Sequence, residues 1–201
     1  MKLLRKAKRS LGQNFLIDKN IISKIIEIGN INKSKTVMEI GSGYGNLTKE
    51  IVRMEPKKIF AIEKDKNLAF FLKKKFKDYK NLKIINRDIL DIIEKKNLGQ
   101  NIIVFGNLPY NVSTKILASL IMLKSWPPWY DVLILMFQKE VADRILAKIQ
   151  TKEFSRLSVL SNWRLEIKKH FNVSKNCFFP RPKIDSTLLS FKPKIDNRFN
   201  L

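Results

Sequence analysis

The residues of this sequence that could do chemistry stand at Glu39 with Gly41, Gly43 and Gly45, at Glu63, at Asp88, and in the run Asn107-Leu108-Pro109-Tyr110. Glycines at alternate positions let a backbone turn tightly and approach a ligand closely, because no Cβ intervenes. A helix starting directly behind them leaves backbone N–H groups free to meet a polar or anionic ligand end. The spacing is Gly-x-Gly-x-Gly, whereas dinucleotide sites use Gly-x-Gly-x-x-Gly. Glu39 would repel a pyrophosphate but could hold an ammonium group through bound water. Taken alone, the same glycines also suit a tight structural turn with no ligand.

Glu63 closes the apolar run Lys58-Ile59-Phe60-Ala61-Ile62. It falls roughly 20 residues past the glycines, where a carboxylate accepts hydrogen bonds from both ribose hydroxyls in nucleotide-binding βαβ units. Asp88 follows the run Leu82 to Asn86 and Arg87, again at a strand end facing the crevice of an open α/β sheet. It could take the amino group of an adenine, or it could cap the next turn. Asn107 and Tyr110 follow a further apolar run, Asn101 to Phe105, and bring an amide and an aromatic ring to the same edge. Pro109 fixes the turn between them. The amide of Asn14, beside Phe15 and Leu16, reads as a loop residue or a ligand contact.

The elements that must position these groups follow from periodicity. Thr36 to Ile40 is a buried strand, and Leu47, Ile51, Val52 and Met54 give the following helix an apolar stripe. Asp18 caps an earlier helix carrying Ile21, Ile22, Ile25, Ile26 and Ile28, and Gly29 suits its stop. Helices are expected at Leu68 to Phe76, Ser113 to Leu123, from Gln138, and at Ser155 to Ser161. Strands are expected at Asp131 to Phe137, from Trp163 toward Phe171, and at Ser186 to Phe191. The last two lack a crossover helix between them and read as an antiparallel pair. Lys73, Lys74, Lys75 and Lys77 read as a solvated face, Trp126 and Trp129 as packing, His170 as a strand residue, and the tail from Pro193 as loose.

With 201 residues, 44% of them hydrophobic, the chain can bury one sizeable core. Its 40 Lys and Arg against 18 Asp and Glu give a formal charge of +22. That balance points to a polyanionic partner, nucleic acid above all, although drift toward Lys, Ile and Asn could contribute. A single cysteine, Cys177, excludes an intrachain disulfide and a cysteine metal site, and no metal is expected. No apolar stretch approaches the roughly 20 residues of a membrane span, and the basic start lacks the apolar core of a secretory signal. A cytoplasmic setting with no membrane contact is consistent with both.

Gln13-Asn14-Phe15-Leu16, Glu39-Ile40-Gly41-Ser42-Gly43-Tyr44-Gly45, Asn107-Leu108-Pro109-Tyr110 and Phe178-Phe179-Pro180-Arg181-Pro182-Lys183-Ile184-Asp185-Ser186 stand in one order. Together they closely resemble the ribosomal RNA adenine N6-dimethyltransferases of the KsgA type, which modify two adjacent adenosines near the 3′ end of small-subunit rRNA. Gln138-Lys139-Glu140-Val141-Ala142 and Arg156-Leu157-Ser158-Val159 resemble that branch too, and the likeness runs from about Ser10 to Pro193. It implies the class I S-adenosylmethionine-dependent methyltransferase fold, a Rossmann-like α/β domain over residues 1–193 with a seven-stranded sheet and an antiparallel terminal strand. The remaining 194–201 would be a tail, with the small helical domain into which members usually continue absent or truncated. Phe154-Ser155 also departs from the Tyr-Gly common in the branch.

The resemblance implies S-adenosylmethionine as methyl donor, closed over by Asn14 and Leu16, with Gly41 and Gly43 at its methionine end near Glu39. Glu63 would hold the ribose, Asp88 the adenine amino group, and Asn107 would sit between donor and acceptor. The Asn107 side-chain oxygen and the Leu108 carbonyl would accept the target N6 protons, with Tyr110 and Phe178 on the two faces of the adenine. The implied partner is small-subunit rRNA or a precursor small subunit, met by a monomer with a possible role in assembly. The competing readings are a large-subunit rRNA adenine methylase conferring macrolide-type resistance and a non-catalytic RNA-binding assembly factor on the same fold. A nicotinamide dehydrogenase is disfavoured by the glycine spacing.

Overall fold

The computed structural model describes residues 13–94 and 99–195, so the basic arm before Gln13 and the end of the tail lie outside the described residues. The main sheet has seven strands: β2 (Thr36–Ile40), β3 (Lys58–Ile62), β4 (Leu82–Ile85), β5 (Ile102–Asn107), β6 (Tyr130–Gln138), β7 (Leu165–Val173) and β9 (Ser186–Pro193). Their order across the sheet is β4-β3-β2-β5-β6-β9-β7. β2 pairs in parallel with β3 and β5, and β6 in parallel with β5, whereas β9 runs antiparallel between β6 and β7. The expected antiparallel terminal strand is therefore the last in sequence but the penultimate in space.

The central strands are apolar along their length because helices cover both faces. On one face α1 (Lys19–Gly29) and α2 (Asn46–Arg53) close a core of Ile22, Ile25, Leu47, Ile51, Ile103 and Ile134. On the other, α4 (Ser113–Ile121) and α5 (Lys139–Leu146) close one of Met38, Val104, Leu117, Leu135 and Ile145. α3 (Lys66–Lys75) follows β3 and is capped by Asp65, which accepts from the Asn67 amide at 2.8 Å.

Four expectations need correction. Gly29 is the last residue of α1 rather than the residue that turns out of it, and Asn30 takes the left-handed position at φ 45°. Asparagine tolerates that conformation. Gly29 is required by packing instead, since a Cβ there would lie 2.3 Å from the Phe105 ring. The helix expected to end at Ser161 is α6 (Arg156–Arg164), so Trp163 is helical and β7 starts at Leu165. Its last residue explains the extension. Arg164 is fully buried, donates to the carbonyls of Ile121 at 2.8 Å and Leu123 at 3.0 Å, and lies between the rings of Trp126 and Trp163.

Third, two segments with no strand signature pair as a separate ribbon, β1 (Phe15–Leu16) with β8 (Phe178–Phe179), in the register Phe15↔Phe179 and Leu16↔Phe178. Two residues are too short for a period to show. Last, the tail is not loose at its start. Lys194 donates its backbone N–H to Arg164 O at 2.8 Å, and its carbonyl accepts from Trp126 Nε1 at 2.7 Å. Among the described residues no helix is long and apolar enough to cross a membrane.

Candidate active site

The parallel strands β2, β3 and β5 release their chain at one end of the sheet, and the singled-out residues meet there. A cavity of about 190 Å³ is lined by Asn14, Phe15, Gly41, Gly43, Glu63, Asp88, Asn107, Leu108, Pro109 and Tyr110. A smaller recess of about 30 Å³ adds Leu16, Glu39 and Ser42, and shares Phe15, Gly41, Gly43 and Asn107 with the first. This is the crevice outside the carboxyl ends of the strands, where ligands of open α/β sheets bind.

The glycine turn is shaped by positive φ: +76° at Gly41, +54° at Gly43 and +74° at Gly45. It is also pressed on by its neighbours. A Cβ on Gly43 would lie 2.7 Å from the Phe15 ring, and one on Gly45 would lie 2.6 Å from that of Phe76. Lys75, read as part of a solvated face, donates from Nζ to the Tyr44 carbonyl at 2.7 Å and so ties the turn to the end of α3. Its place within a run of lysines gave no signal of this. Phe15 packs edge-on against Tyr44, with ring centroids 4.6 Å apart.

Glu39 is buried beneath the turn, where its Oε2 accepts from Thr48 Oγ1 at 2.5 Å. Burial raises its pKa to about 7, against the opposing pull of the Thr48 hydroxyl. The neighbouring Ser42 hydroxyl is close enough to lower the proton affinity of Glu39, yet it makes no well-formed hydrogen bond and is buried. A buried polar atom without a partner is costly, and it marks the recess as a place for a polar ligand group.

Glu63 is buried, and its two oxygens accept from the Gly43 amide and the Asp65 amide, each at 2.8 Å. Burial raises its pKa, partly offset by those amides. A carboxylate has about four lone-pair sites, and with the Lys64 amide also bearing on it Glu63 keeps room to accept a hydroxyl from the cavity. Asp88 performs the capping role: Oδ1 accepts from Leu90 N at 3.0 Å, above the 3₁₀ turn Ile89–Asp91. Its Oδ2 meets Lys64 Nζ at 2.8 Å. Burial works against the charge, but the Lys64 ammonium and the Leu90 amide outweigh it and hold Asp88 below the usual carboxylate range. Lys64, which sequence reasoning passed over, thus bounds the same end of the cavity.

Asn107 ends β5 and donates from Nδ2 to the backbone carbonyl of Asn14 at 2.8 Å. A carbonyl can only accept, so the amide orientation follows, and Oδ1 is the atom left for the cavity. Tyr110 lines the cavity and exchanges a 2.8 Å hydrogen bond with Ser186 Oγ, and its burial raises the phenol pKa. Beyond it the turn is closed by Val112 N donating to Pro109 O at 3.1 Å and Ser113 Oγ to Tyr110 O at 3.2 Å.

Phe178 is not brought to this cavity. It is 3% exposed and packs with Leu16 and Val173 in the core under α1, because it sits opposite Leu16 on the inward face of the ribbon. Phe179, 43% exposed, lies on the other face as the cross-strand partner of Phe15. Paired residues of a ribbon share a face, and Phe15 is the one that reaches the cavity.

The family described as ribosomal RNA adenine dimethylase matches this chain over residues 4–198. The ribosomal RNA small subunit methyltransferase A of Pelagibacter ubique (strain HTCC1062) is 51% identical over 196 residues, covering 98% of this chain and 73% of that protein. The protein of the same name from Malacoplasma penetrans (strain HF-2) is 44% identical, covering 96% of this chain and 68% of its own length. Among solved structures, a dimethyladenosine transferase from Plasmodium falciparum superposes with a TM-score of 0.78 at 32% identity, over 90% of this chain and 63% of that one. The order of the motifs, the sheet topology and these likenesses agree: the chain belongs to the ribosomal RNA adenine dimethylase family.

Proposed function

We propose that this chain transfers methyl groups from S-adenosylmethionine to the exocyclic N6 of two adjacent adenosines near the 3′ end of small-subunit rRNA, acting as a monomer on the RNA or on an assembling particle. The methyltransferase domain in this reading is residues 1–193. The small-subunit target is favoured over the large-subunit one by the two relatives named small subunit methyltransferase A.

The observation that carries the reading is the fixed Asn107 amide, which turns Oδ1 toward the cavity while Nδ2 is held by Asn14. The residues also fit the cofactor. The buried, poorly satisfied Ser42 hydroxyl and the high-pKa Glu39 lie in the recess where an ammonium group would be held, Glu63 keeps room to accept from the ribose, and Asp88 stands at the far end for an adenine amino group. When bound, S-adenosylmethionine supplies an electrophilic methyl group on a positively charged sulfur.

The protein's own share is positioning. The N6 lone pair of adenine is delocalised into the ring, and accepting both N6 protons at Asn107 Oδ1 and the Leu108 carbonyl counters that delocalisation. Orientation of this kind is worth about 7–11 kcal/mol in favourable cases, and fixed dipoles add to it where charge shifts. The adenine must leave its stack, at a cost of a few kcal/mol. A ring on each face returns roughly 1–3 kcal/mol per base. Tyr110 is one such ring. Phe178 was expected as the other, but its packing makes it the support of the ribbon, and the exposed Phe179, cross-strand neighbour of the Phe15 that lines the cavity, is the ring proposed in its place.

The test is transfer of labelled methyl from S-adenosylmethionine to unmodified small-subunit particles, with protein-free large-subunit rRNA in parallel and nuclease digestion of the product. Dimethyladenosine in small-subunit RNA alone is the expected result. Label in the large-subunit RNA would replace this reading with the resistance-type one.

A further inference from the structure

A second and larger cavity, of about 540 Å³, lies at the other end of the sheet, where β2, β5 and β6 begin and β9 ends. Its floor is apolar, formed by Ile103, Val132 and the buried Tyr130. Its rim is basic. Lys168 and His170 come from β7, Lys192 from β9 and Lys35 from the approach to β2. Asp131 is the acid among the lining residues, and it meets Lys35 at a long 3.5 Å across partly exposed side chains. Such a pair holds neither partner strongly.

The register explains why this strip stays polar. Ile134 pairs with Ser190, and Ser190 with Lys168, so all three share the sheet face on which α1 packs. α1 covers Ile134 and its neighbours on β6. The outer strands β9 and β7 extend past it and carry Ser190, Lys168 and His170 at the positions that helices cover further in. His170 Nε2 is 2.8 Å from Ser190 Oγ, which orients the imidazole across the strip. A sheet face bearing lysines over an apolar floor, on a chain of charge +22, is complementary to a phosphate backbone.

We infer that this groove, with Lys168 and Lys192 on its rim, is a second contact for the RNA backbone, remote from the cavity that takes the target adenine. The inference rests on the reading of rRNA as substrate. The parallel strands between the two sites are five and six residues long, or roughly 17–20 Å at ~3.3 Å per residue. A base in the cavity and a phosphate in the groove are therefore at opposite ends of the sheet, so an RNA that meets both must pass around the domain, and a target cut down to the adenosines and their nearest neighbours meets only the first.

The experiment measures the salt dependence of binding to small-subunit rRNA for the wild type and for Lys168→Gln/Lys192→Gln, whose side chains are exposed and outside the catalytic machinery. Loss of two phosphate contacts should flatten the slope of log K against log salt by about 1.4–1.8. At 0.1 M salt this is about 25–60-fold weaker binding if the affinity at 1 M is unchanged. S-adenosylmethionine affinity and transfer to a short hairpin carrying only the target adenosines should stay at wild-type values. Wild-type binding with the same slope in the double variant would overturn the groove alone. Failure of the wild type to bind rRNA would overturn the reading beneath it. Loss of self-association instead of RNA affinity would assign the groove to a second copy of the chain and overturn the inference.

Discussion

The side-chain amide of Asn107 is held by the backbone carbonyl of Asn14, 2.8 Å away and 93 residues earlier in the chain. The segment that resemblance assigns to closing over the cofactor is thereby the same segment that sets which atom of Asn107 is left for the cavity. In the proposed function, cofactor binding and target orientation therefore share one hydrogen bond. The ribbon of β1 and β8 holds that segment in place, with Asn46 Nδ2 donating to Leu16 O at 2.8 Å as a further tie.

Asn107→Ala should abolish methyl transfer while leaving S-adenosylmethionine affinity nearly intact. Asn107→Asp keeps the shape but sets a carboxylate against the Asn14 carbonyl. An unmade buried hydrogen bond costs about 1–3 kcal/mol, which corresponds to roughly a 5- to 150-fold lower rate for the aspartate variant. Single-turnover transfer alongside calorimetric cofactor binding separates the two effects; equal loss of both would remove the assigned role.

Glu39 should make cofactor binding depend on pH. Its pKa is about 7 in the fold against 4.5 when solvated, so the folded state keeps a proton that the unfolded chain has lost. Stability should therefore fall as pH rises from about 4.5 to about 7 and level off above, since the folded state binds more protons in that window. A cationic ammonium selects the ionised carboxylate. Affinity should thus rise with pH up to about 7, by roughly tenfold per unit well below it. Titration calorimetry of the wild type and Glu39→Gln measures this, and the glutamine should bind weakly with no such dependence between pH 6 and 8.

Phe178→Ala and Phe179→Ala should fail differently. Phe178 is core, and its truncation should cost about 3–5 kcal/mol of stability. Phe179 is exposed, and its removal should change stability by no more than about 0.5 kcal/mol while raising KM for RNA. Denaturant unfolding paired with transfer kinetics decides it. Normal kinetics for Phe179→Ala would return the second stacking position to another ring.

Arg164→Met removes a buried cation that serves two carbonyls, those of Ile121 and Leu123, and fills the gap between two indoles. Stranded buried acceptors cost about 1–3 kcal/mol each. The variant should lose roughly 2–4 kcal/mol in urea unfolding, a non-additive sum, without change in cofactor affinity once folded.

What the sequence alone determined is local and short-range. The strands β2, β3, β5 and β6 were legible because doubly covered strands read as unbroken apolar runs, and the acids Glu39, Glu63 and Asp88 were legible because they stand at strand ends, which the crossover rule places at one crevice. The tertiary structure decided what depends on partners far along the chain. Arg164 reads as one more base in a very basic chain until two carbonyls some 40 residues earlier meet it. Lys75 reads as a solvated lysine until the Tyr44 carbonyl does the same. The facing of Phe178 and Phe179 was undetermined because a two-residue ribbon has no period, and only pairing with Phe15 and Leu16 fixes which ring is buried. Sequence periodicity records which side of an element is covered; it does not record which distant group covers it.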